Sequence, residues 1–209
     1  GALQRADLLS AGTLVTAPKG HGTEYGMPIP TLASAAEAQA FVDARIAEGS
    51  DYIKIVYDDG AAYGMRIVTI DRAILGAAIA AAKARNKLAV IHIGSLRSAD
   101  EAIAAGASGL VHIFADAPAD AAFVQRVVAA RAFVTPTLSV TESTTAVASG
   151  ASLVKDARLA AFITAPERTS LEGRFPGRPE SKQNLPHAFG ATKLLFDAGV
   201  PILAGTDAP

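Results

Sequence analysis

The hydrophobic pattern of the chain repeats along its length. Alanine-rich stretches with helical spacing end at a small turn and give way to a short apolar run, as in "FVDARIAEGSDYIKIV". Nearly continuous apolar runs are typical of strands that are buried on both faces, as in parallel sheets. The helical stretches are predicted to end at the capping positions Gly49, Asn86, Gly106, Arg131 and Gly199.

Six apolar runs are predicted to be strands, which alternate with helices and so indicate successive βα units. No G-x-G-x-x-G or G-x-x-x-x-G-K-[ST] motif follows any of them, which disfavours a nucleotide-binding open sheet. The predicted strands cover residues 13–17, 52–57, 88–93, 109–114, 133–140 and 201–206.

Polar residues lie in or just after the C-terminal halves of four of these strands. Period-two alternation places Lys54, His92, His112 and Asp207 each on one face of its strand. In a (β/α)8 barrel this end of the strands carries the active site, which is built from several strands at once. The sequence therefore predicts a (β/α)8 TIM barrel that is incomplete in this chain, with about six parallel strands and outer helices.

Each of these four residues also has an ordinary structural interpretation when it is taken alone. A single strand histidine is usually a hydrogen-bonded core residue, and Asp207 after Gly-Thr fits a helix N-cap. Lys54 is harder to explain, because burying an unpaired ammonium costs several kcal/mol. It requires a carboxylate partner, a depressed pKa or chemical modification. The combination of all four residues favours a functional site.

Composition limits the partners that the chain can have. With 50% hydrophobic residues and a net charge of −1 over 209 residues, it is a globular chain without a nucleic-acid or anionic-membrane surface. The absence of cysteine excludes disulfides and thiolate nucleophiles. We expect a small-molecule substrate and a homo-oligomer. A cytoplasmic location is favoured, although a signal peptide could precede Gly1.

The order of the polar strand residues resembles the amidohydrolase superfamily, in particular its imidazolonepropionase-like and prolidase-like members. Lys54 in "YIKI", His92 in "VIHI", His112 in "LVHIF" and Asp207 in "LAGTDAP" are similar to the family's fourth, fifth, sixth and eighth strands. The "TPTL" and "GHG" motifs resemble its seventh strand and the loop after its third. The resemblance implies a metal-dependent hydrolase.

The family's His-x-His pair and its small β-sandwich domain have no counterpart in this sequence. The resemblance therefore implies that residues 1–209 form one partial barrel domain, which covers the third to eighth strands. The first two strands and the β-sandwich domain would be absent.

The resemblance also implies a metal centre and a mechanism. Lys54 would react with CO2 to form a carbamate that bridges two ions, His92 and His112 would hold the second ion, and Asp207 would contact the first. Zinc suits these ligands, with manganese, iron or cobalt possible. A metal-bound hydroxide would attack an amide, cyclic amide or ester, with Asp207 as general base and then general acid. The isolated chain is expected to bind at most one metal and to be inactive.

Two further residues are predicted to contact the substrate. His21 lies in the "GHG" loop, and Tyr57 follows Lys54 at the end of its strand. Asp58 and Asp59 fit a solvated turn. The long polar segment 165–187 is expected to cover the active-site face as a loop or lid.

Two other function classes remain open. Lys54 at the mouth of a barrel is also the residue that a Schiff-base lyase or aldolase would use. The chain is also compatible with a non-catalytic partial barrel.

Overall fold

The computed structural model describes residues 6–145, 150–173 and 177–207. Two residues of the "LAGTDAP" motif, 208–209, and part of the predicted lid, 174–176, lie outside this range. Helices alternate with strands through the first two thirds of the chain, and helices follow. The elements are α1 (Ala38–Ala47), β1 (Ile53–Val56), α2 (Arg72–Ala84), β2 (Ala89–His92), α3 (Leu96–Ala104), β3 (Gly109–Val111), α4 (Ala121–Ala130), β4 (Phe133–Thr135), α5 (Leu138–Thr144), α6 (Gly150–Lys155), α7 (Ala165–Glu172) and α8 (Leu185–Asp197).

The strands form one parallel sheet in the order β1-β2-β3-β4. Single parallel bridges extend it on both sides, from Val15 to Ile55 on β1 and from Ile202 to Val134 on β4. The predicted parallel α/β fold is confirmed. The described residues form four of the six predicted strands. The predicted strands 13–17 and 201–206 each pair with the sheet through one bridge only, at Val15 and Ile202.

The predicted strand 133–140 is wrong beyond its third residue. β4 ends at Thr135, Thr137 has a φ of 45°, and α5 begins at Leu138. Pro136 has no amide proton to continue the ladder, and a left-handed residue turns the chain out of the sheet. The segment therefore leaves the strand and enters a helix.

The helix ends predicted from the sequence are confirmed. All five capping positions, three glycines together with Asn86 and Arg131, have positive φ angles between 53° and 102°. A residue in this conformation stops the helix and turns the chain toward the next strand. Each βα unit is thus closed by a local signal.

The core lies between the sheet and the helices that cover it. Ile55, Ile91 and Leu110 on the central strands are fully buried. Phe114 packs edge-on against Phe123 of α4, with ring centroids 5.2 Å apart. None of the helices in the described residues is long and apolar enough to cross a membrane.

We expect Asp120→Ala to destabilise the protein by about 1 kcal/mol, because Asp120 caps α4. Its carboxylate accepts a hydrogen bond of 2.6 Å from the amide of Phe123, whose side chain is fully buried. Urea unfolding measures the change. The control is Asp100→Ala, which removes an exposed ion pair with Arg126 and is expected to change stability by less than about 1 kcal/mol. Equal losses in the two variants would contradict the role of the cap.

Candidate active site

Two histidines meet at the carboxyl ends of neighbouring strands. His92 is the last residue of β2, and His112 directly follows β3. Because these strands are parallel and in register, their ends lie side by side. His92 Nδ1 is 3.1 Å from His112 Nε2, so the two rings face each other through one nitrogen each.

The other nitrogen of each ring has a polar partner. His112 Nδ1 is 2.6 Å from the hydroxyl oxygen of Thr137, and His92 Nε2 is 3.7 Å from Oδ2 of Asp58. One proton between the facing nitrogens makes a hydrogen bond. Without this proton, the lone pairs of His92 Nδ1 and His112 Nε2 both point into the space between the rings, and a cation bound there would stabilise this arrangement.

Both imidazoles are held in the neutral form. Burial, together with the neighbouring charges of His92, Lys54 and His21, lowers the pKa of His112 to about 2. Burial also lowers the pKa of His92, against the opposing effect of Asp58. Neutral imidazole is the form that binds metal ions, so the pair is ready to act as ligands.

The distance between the facing nitrogens fits one metal ion. Two nitrogens bound to a tetrahedral zinc at about 2.0–2.1 Å lie roughly 3.3–3.4 Å apart, close to the observed 3.1 Å. Asp207 Oδ2 lies 3.9 Å from His112 Nε2. In the part of the chain that the structure describes, however, no three His, Cys, Asp or Glu side chains form a group that could hold a metal. The histidine pair fits a metal, and the four-residue centre stays a prediction.

Lys54 lies on β1 near both histidines, since its charge contributes to lowering the pKa of each. Its strand neighbours Ile53 and Ile55 are buried and Lys54 itself is half-buried. Its ammonium makes no hydrogen bond or ion pair within the described residues. The structure thus brings the half-buried Lys54 close to the histidine pair, with no carboxylate paired to its ammonium among the described residues.

Left-handed backbone occurs at three residues around the histidine pair. His112, Thr137 and Asp207 have φ angles of 71°, 45° and 55°. This conformation costs a residue other than glycine about 1–3 kcal/mol, and such residues cluster at functional sites. At His112 and Thr137 this conformation turns the chain away from the directions of β3 and β4, beside the point where the two imidazoles meet.

A cavity of about 710 Å³ opens beside the histidine pair. Asp58, Tyr63 and Asp207 line it together with the two histidines, and Lys19, Arg66 and Arg178 also line it and are exposed to solvent. Burial and the charges of Asp58 and Asp116 raise the pKa of Tyr63, which keeps its hydroxyl protonated. The volume suits a small molecule.

His21 is brought to this cavity, as the sequence predicts. Its ring centroid lies 5.1 Å from that of His92. Its Nδ1 is 2.6 Å from Oε1 of Glu24, a contact within the same loop. His21 is therefore placed to contact a molecule in the cavity.

Tyr57 is not brought to this cavity, which corrects the prediction that it lines the site. Its side chain is buried in the core, and its hydroxyl donates a hydrogen bond to Glu101 of α3. It lines a separate pocket with Arg72 and Arg97. Burial, with the hydrogen bond to Glu101, raises the pKa of Tyr57 to about 12.

Asp58, and not Tyr57, is the residue after β1 that lines the cavity beside the histidine pair. Only 3% of Asp58 is exposed, and it lines the cavity, so it is not part of a solvated turn. Asp59 does form the turn, since its carboxylate accepts a hydrogen bond from the amide of Ala61 and forms an ion pair with Arg97 at the surface. Alternation from Lys54 would have found Asp58, because residues 54, 56 and 58 share one parity and residue 57 does not.

Part of the predicted lid lies against the cavity. Arg178 and Ser181 line the cavity. The amide of Lys182 donates a hydrogen bond to the carbonyl of Ala62, which lies in the segment that follows β1. His187 Nδ1 is 3.3 Å from the carbonyl oxygen of Ala115, a contact that anchors the start of α8.

Comparison with solved structures finds this fold in amidohydrolases. A Xaa-Pro dipeptidase with bound methionine has a TM-score of 0.64 and 20% identity, over 96% of this chain and 47% of its own. The ochratoxinase of A. niger has a TM-score of 0.65 and 18% identity, over 95% of this chain and 46% of its own. A third structure, that of an amidohydrolase, has a TM-score of 0.62 and 18% identity, over 94% of this chain and 47% of its own.

The chain thus spans a little less than half the length of these structures. No family model matches the sequence, and no curated protein matches it. These structures, at 18–20% identity, share the parallel α/β fold of this chain, in agreement with the resemblance that the strand-end motifs indicate.

Proposed function

We propose that this chain is the part of a metal-dependent amidohydrolase that carries one histidine pair of its metal centre and its catalytic aspartate. The sheet would be most of a (β/α)8 barrel, with the strand ends that hold His92 and His112 at the mouth. The bond to be cleaved would be an amide, a cyclic amide or an ester. The substrate would be a small molecule bound in the cavity beside the pair.

The observation that carries this proposal is the contact between His92 Nδ1 and His112 Nε2 at 3.1 Å. A hydrogen-bonded core pair would explain the distance alone. It would not explain why a lysine without an ion-pair partner among the described residues, an aspartate in left-handed backbone and a cavity adjoin the same pair. A cation bound by the two imidazoles accounts for this arrangement of groups.

His92 and His112 would hold the metal, with Lys54, as a carbamate, and Asp207 as further ligands. A bound zinc ion supplies Lewis acidity and lowers the pKa of water, and manganese, iron or cobalt could replace it. The fit to the metal rests on the histidine pair.

Asp207 would hold and return the proton of the reaction. Its side chain lines the cavity and is about half exposed, with Oδ2 3.9 Å from His112 Nε2. A carboxylate that reaches both the histidine pair and the cavity can take a proton from the nucleophile and give it to the leaving group. His21, whose ring adjoins His92 and which also lines the cavity, would contact the substrate.

The Schiff-base alternative uses the same lysine in another way. Lys54 would then attack a carbonyl as a free amine. This reaction gives no role to the histidine pair or to Asp207, so hydrolysis is the function that the site supports best. A non-catalytic role gives no reason for the strain at His112 and Asp207.

Removing metal tests the proposal. We expect dialysis of the full-length protein against a chelator to abolish hydrolysis of a panel of N-acyl amino acids, cyclic amides and esters. Addition of zinc or manganese should restore it. Metal content by mass spectrometry accompanies each assay, so that activity can be set against occupancy.

Full activity in the chelator-treated, metal-free protein would overturn the proposal. Trapping of a carbonyl compound on Lys54 by borohydride would instead support the lyase. The chain on its own is expected to bind at most one metal and to hydrolyse nothing, and self-association of the chain stays a prediction that light scattering can check.

A further inference from the structure

Asp58 is a buried carboxylate that the proposed reaction does not use. It lies two residues after β1 with only 3% of its surface exposed. Its Oδ1 accepts a hydrogen bond of 2.9 Å from the amide of Gly60, and its own amide donates to the hydroxyl of Thr69 at 3.2 Å. The turn therefore fixes the carboxylate in one orientation.

The second oxygen of this carboxylate faces the histidine pair. Asp58 Oδ2 lies 3.7 Å from Nε2 of His92, which is the nitrogen that points away from His112. A carboxylate at this position favours a proton on Nε2. In neutral imidazole only one nitrogen is protonated, so Nδ1 then carries the lone pair.

Gly94 provides the space that this arrangement needs. A Cβ at Gly94 would lie 2.3 Å from Asp58 Oδ2 and 2.5 Å from its Cγ, closer than any side chain tolerates. The loop after β2 can therefore pass beside Asp58 only without a side chain at this position. Two separate stretches of the sequence, the turn after β1 and the loop after β2, are adapted to the same carboxylate.

We propose that Asp58 is a positioning residue for His92, which fixes the neutral ring as the Nε2–H tautomer and directs its Nδ1 lone pair toward His112 and the metal position. This inference rests on the proposed function only for its metal; the tautomer is a property of the metal-free protein. Groups that orient a histidine ligand in this way typically change metal affinity by about 10–100-fold.

Asp58→Asn is a sharp test because the turn dictates which way the amide must face. The amide of Gly60 needs an oxygen at the Oδ1 position, and asparagine has only one oxygen. Its NH2 group is thereby directed at His92 Nε2, where it can only donate. A donor group facing Nε2 across this 3.7 Å contact favours the unprotonated form of Nε2, so we expect His92 to carry its proton on Nδ1, which blocks the lone pair.

The first measurement is the tautomer of His92 by nitrogen-15 NMR in the metal-free, full-length protein. We expect the Nε2–H form in the unmodified protein and the Nδ1–H form in Asp58→Asn. The matched control is Asp59→Asn, since Asp59 is the adjacent carboxylate, lies in the same turn and pairs with Arg97 instead. A predominant Nδ1–H form in the unmodified protein would overturn the inference, whether or not any variant folds.

The second measurement is zinc affinity by competition with a chromophoric chelator. We expect about 10–100-fold weaker binding in Asp58→Asn and unchanged binding in Asp59→Asn. Gly94→Ala, which displaces the carboxylate but leaves it in the chain, should weaken binding in the same direction. Unchanged zinc affinity in a folded Asp58→Asn protein would also overturn the inference.

These results separate the two proposals. A protein that binds no zinc under any condition contradicts the proposed function, and the tautomer experiment still decides the role of Asp58. If Asp58→Asn binds zinc with the affinity of the unmodified protein, the proposed function stands and the positioning role of Asp58 is contradicted.

Discussion

Asp207→Asn is expected to lower the kcat for hydrolysis by about 100- to 10,000-fold, the range that general acid–base groups contribute. Asparagine keeps the size of the side chain and removes its ability to take a proton. It also tolerates the left-handed conformation of this position, where φ is 55°. The loss should therefore come from chemistry and not from the backbone.

The assay compares kcat and KM of the full-length protein with those of the variant, together with metal content. Asp197→Asn is the control, because Asp197 is an exposed carboxylate that pairs with Lys193 on α8. We expect it to leave both constants unchanged. A variant at Asp207 with the original kcat would remove the aspartate from the mechanism and leave the histidine pair as a binding site only.

The parts of the fold that local signals determine are predictable from the sequence. Glycine, asparagine or arginine ends five helices in left-handed backbone, and apolar runs mark the strands that follow. Both signals act within a few residues, where conformational preference and burial decide the structure. The order of the sheet follows, because successive βα units place neighbouring strands side by side.

Strand ends are where this prediction fails. The apolar run at 133–140 continues past Thr135, but the chain turns at Thr137 and forms α5. His112 leaves β3 in the same left-handed way, one residue after the strand. Hydrophobic pattern carries no information on such strained angles, since they are imposed by tertiary contacts such as the one between His112 and Thr137.

The candidate site shows both outcomes. His92, His112 and Asp207 could be grouped from the sequence because parallel strands bring their ends together. Tyr57, which was expected to contact the substrate, packs in the core, and Asp58, which was expected in a solvated turn, lines the cavity. Burial of Asp58 depends on the missing side chain at Gly94, a contact between two loops that no local pattern encodes.

Lys54→Met is expected to remove metal from the protein without unfolding it. Lys54 is half-buried on β1 between two buried isoleucines, and no hydrogen bond or ion pair of its ammonium occurs among the described residues. Methionine fills the same space without a charge to bury, so the free energy of unfolding should stay equal or increase. If the lysine is a ligand as its carbamate, the loss of zinc affinity should exceed the roughly 10–100-fold typical of supporting groups.

Zinc content, urea unfolding and hydrolysis, measured on the same preparation of the full-length protein, decide between the roles of this lysine. Lys87→Met is the control, because Lys87 is also half-buried but precedes β2 at the opposite end of the sheet. A ligand at Lys54 predicts lost metal and lost hydrolysis at retained stability. If Lys54 is instead a Schiff-base lysine, the variant should lose carbonyl trapping, and any zinc bound by the histidine pair should be retained. If Lys54→Met instead destabilises the fold while the folded fraction still binds zinc with its original affinity, the lysine stabilises the core and is not a metal ligand.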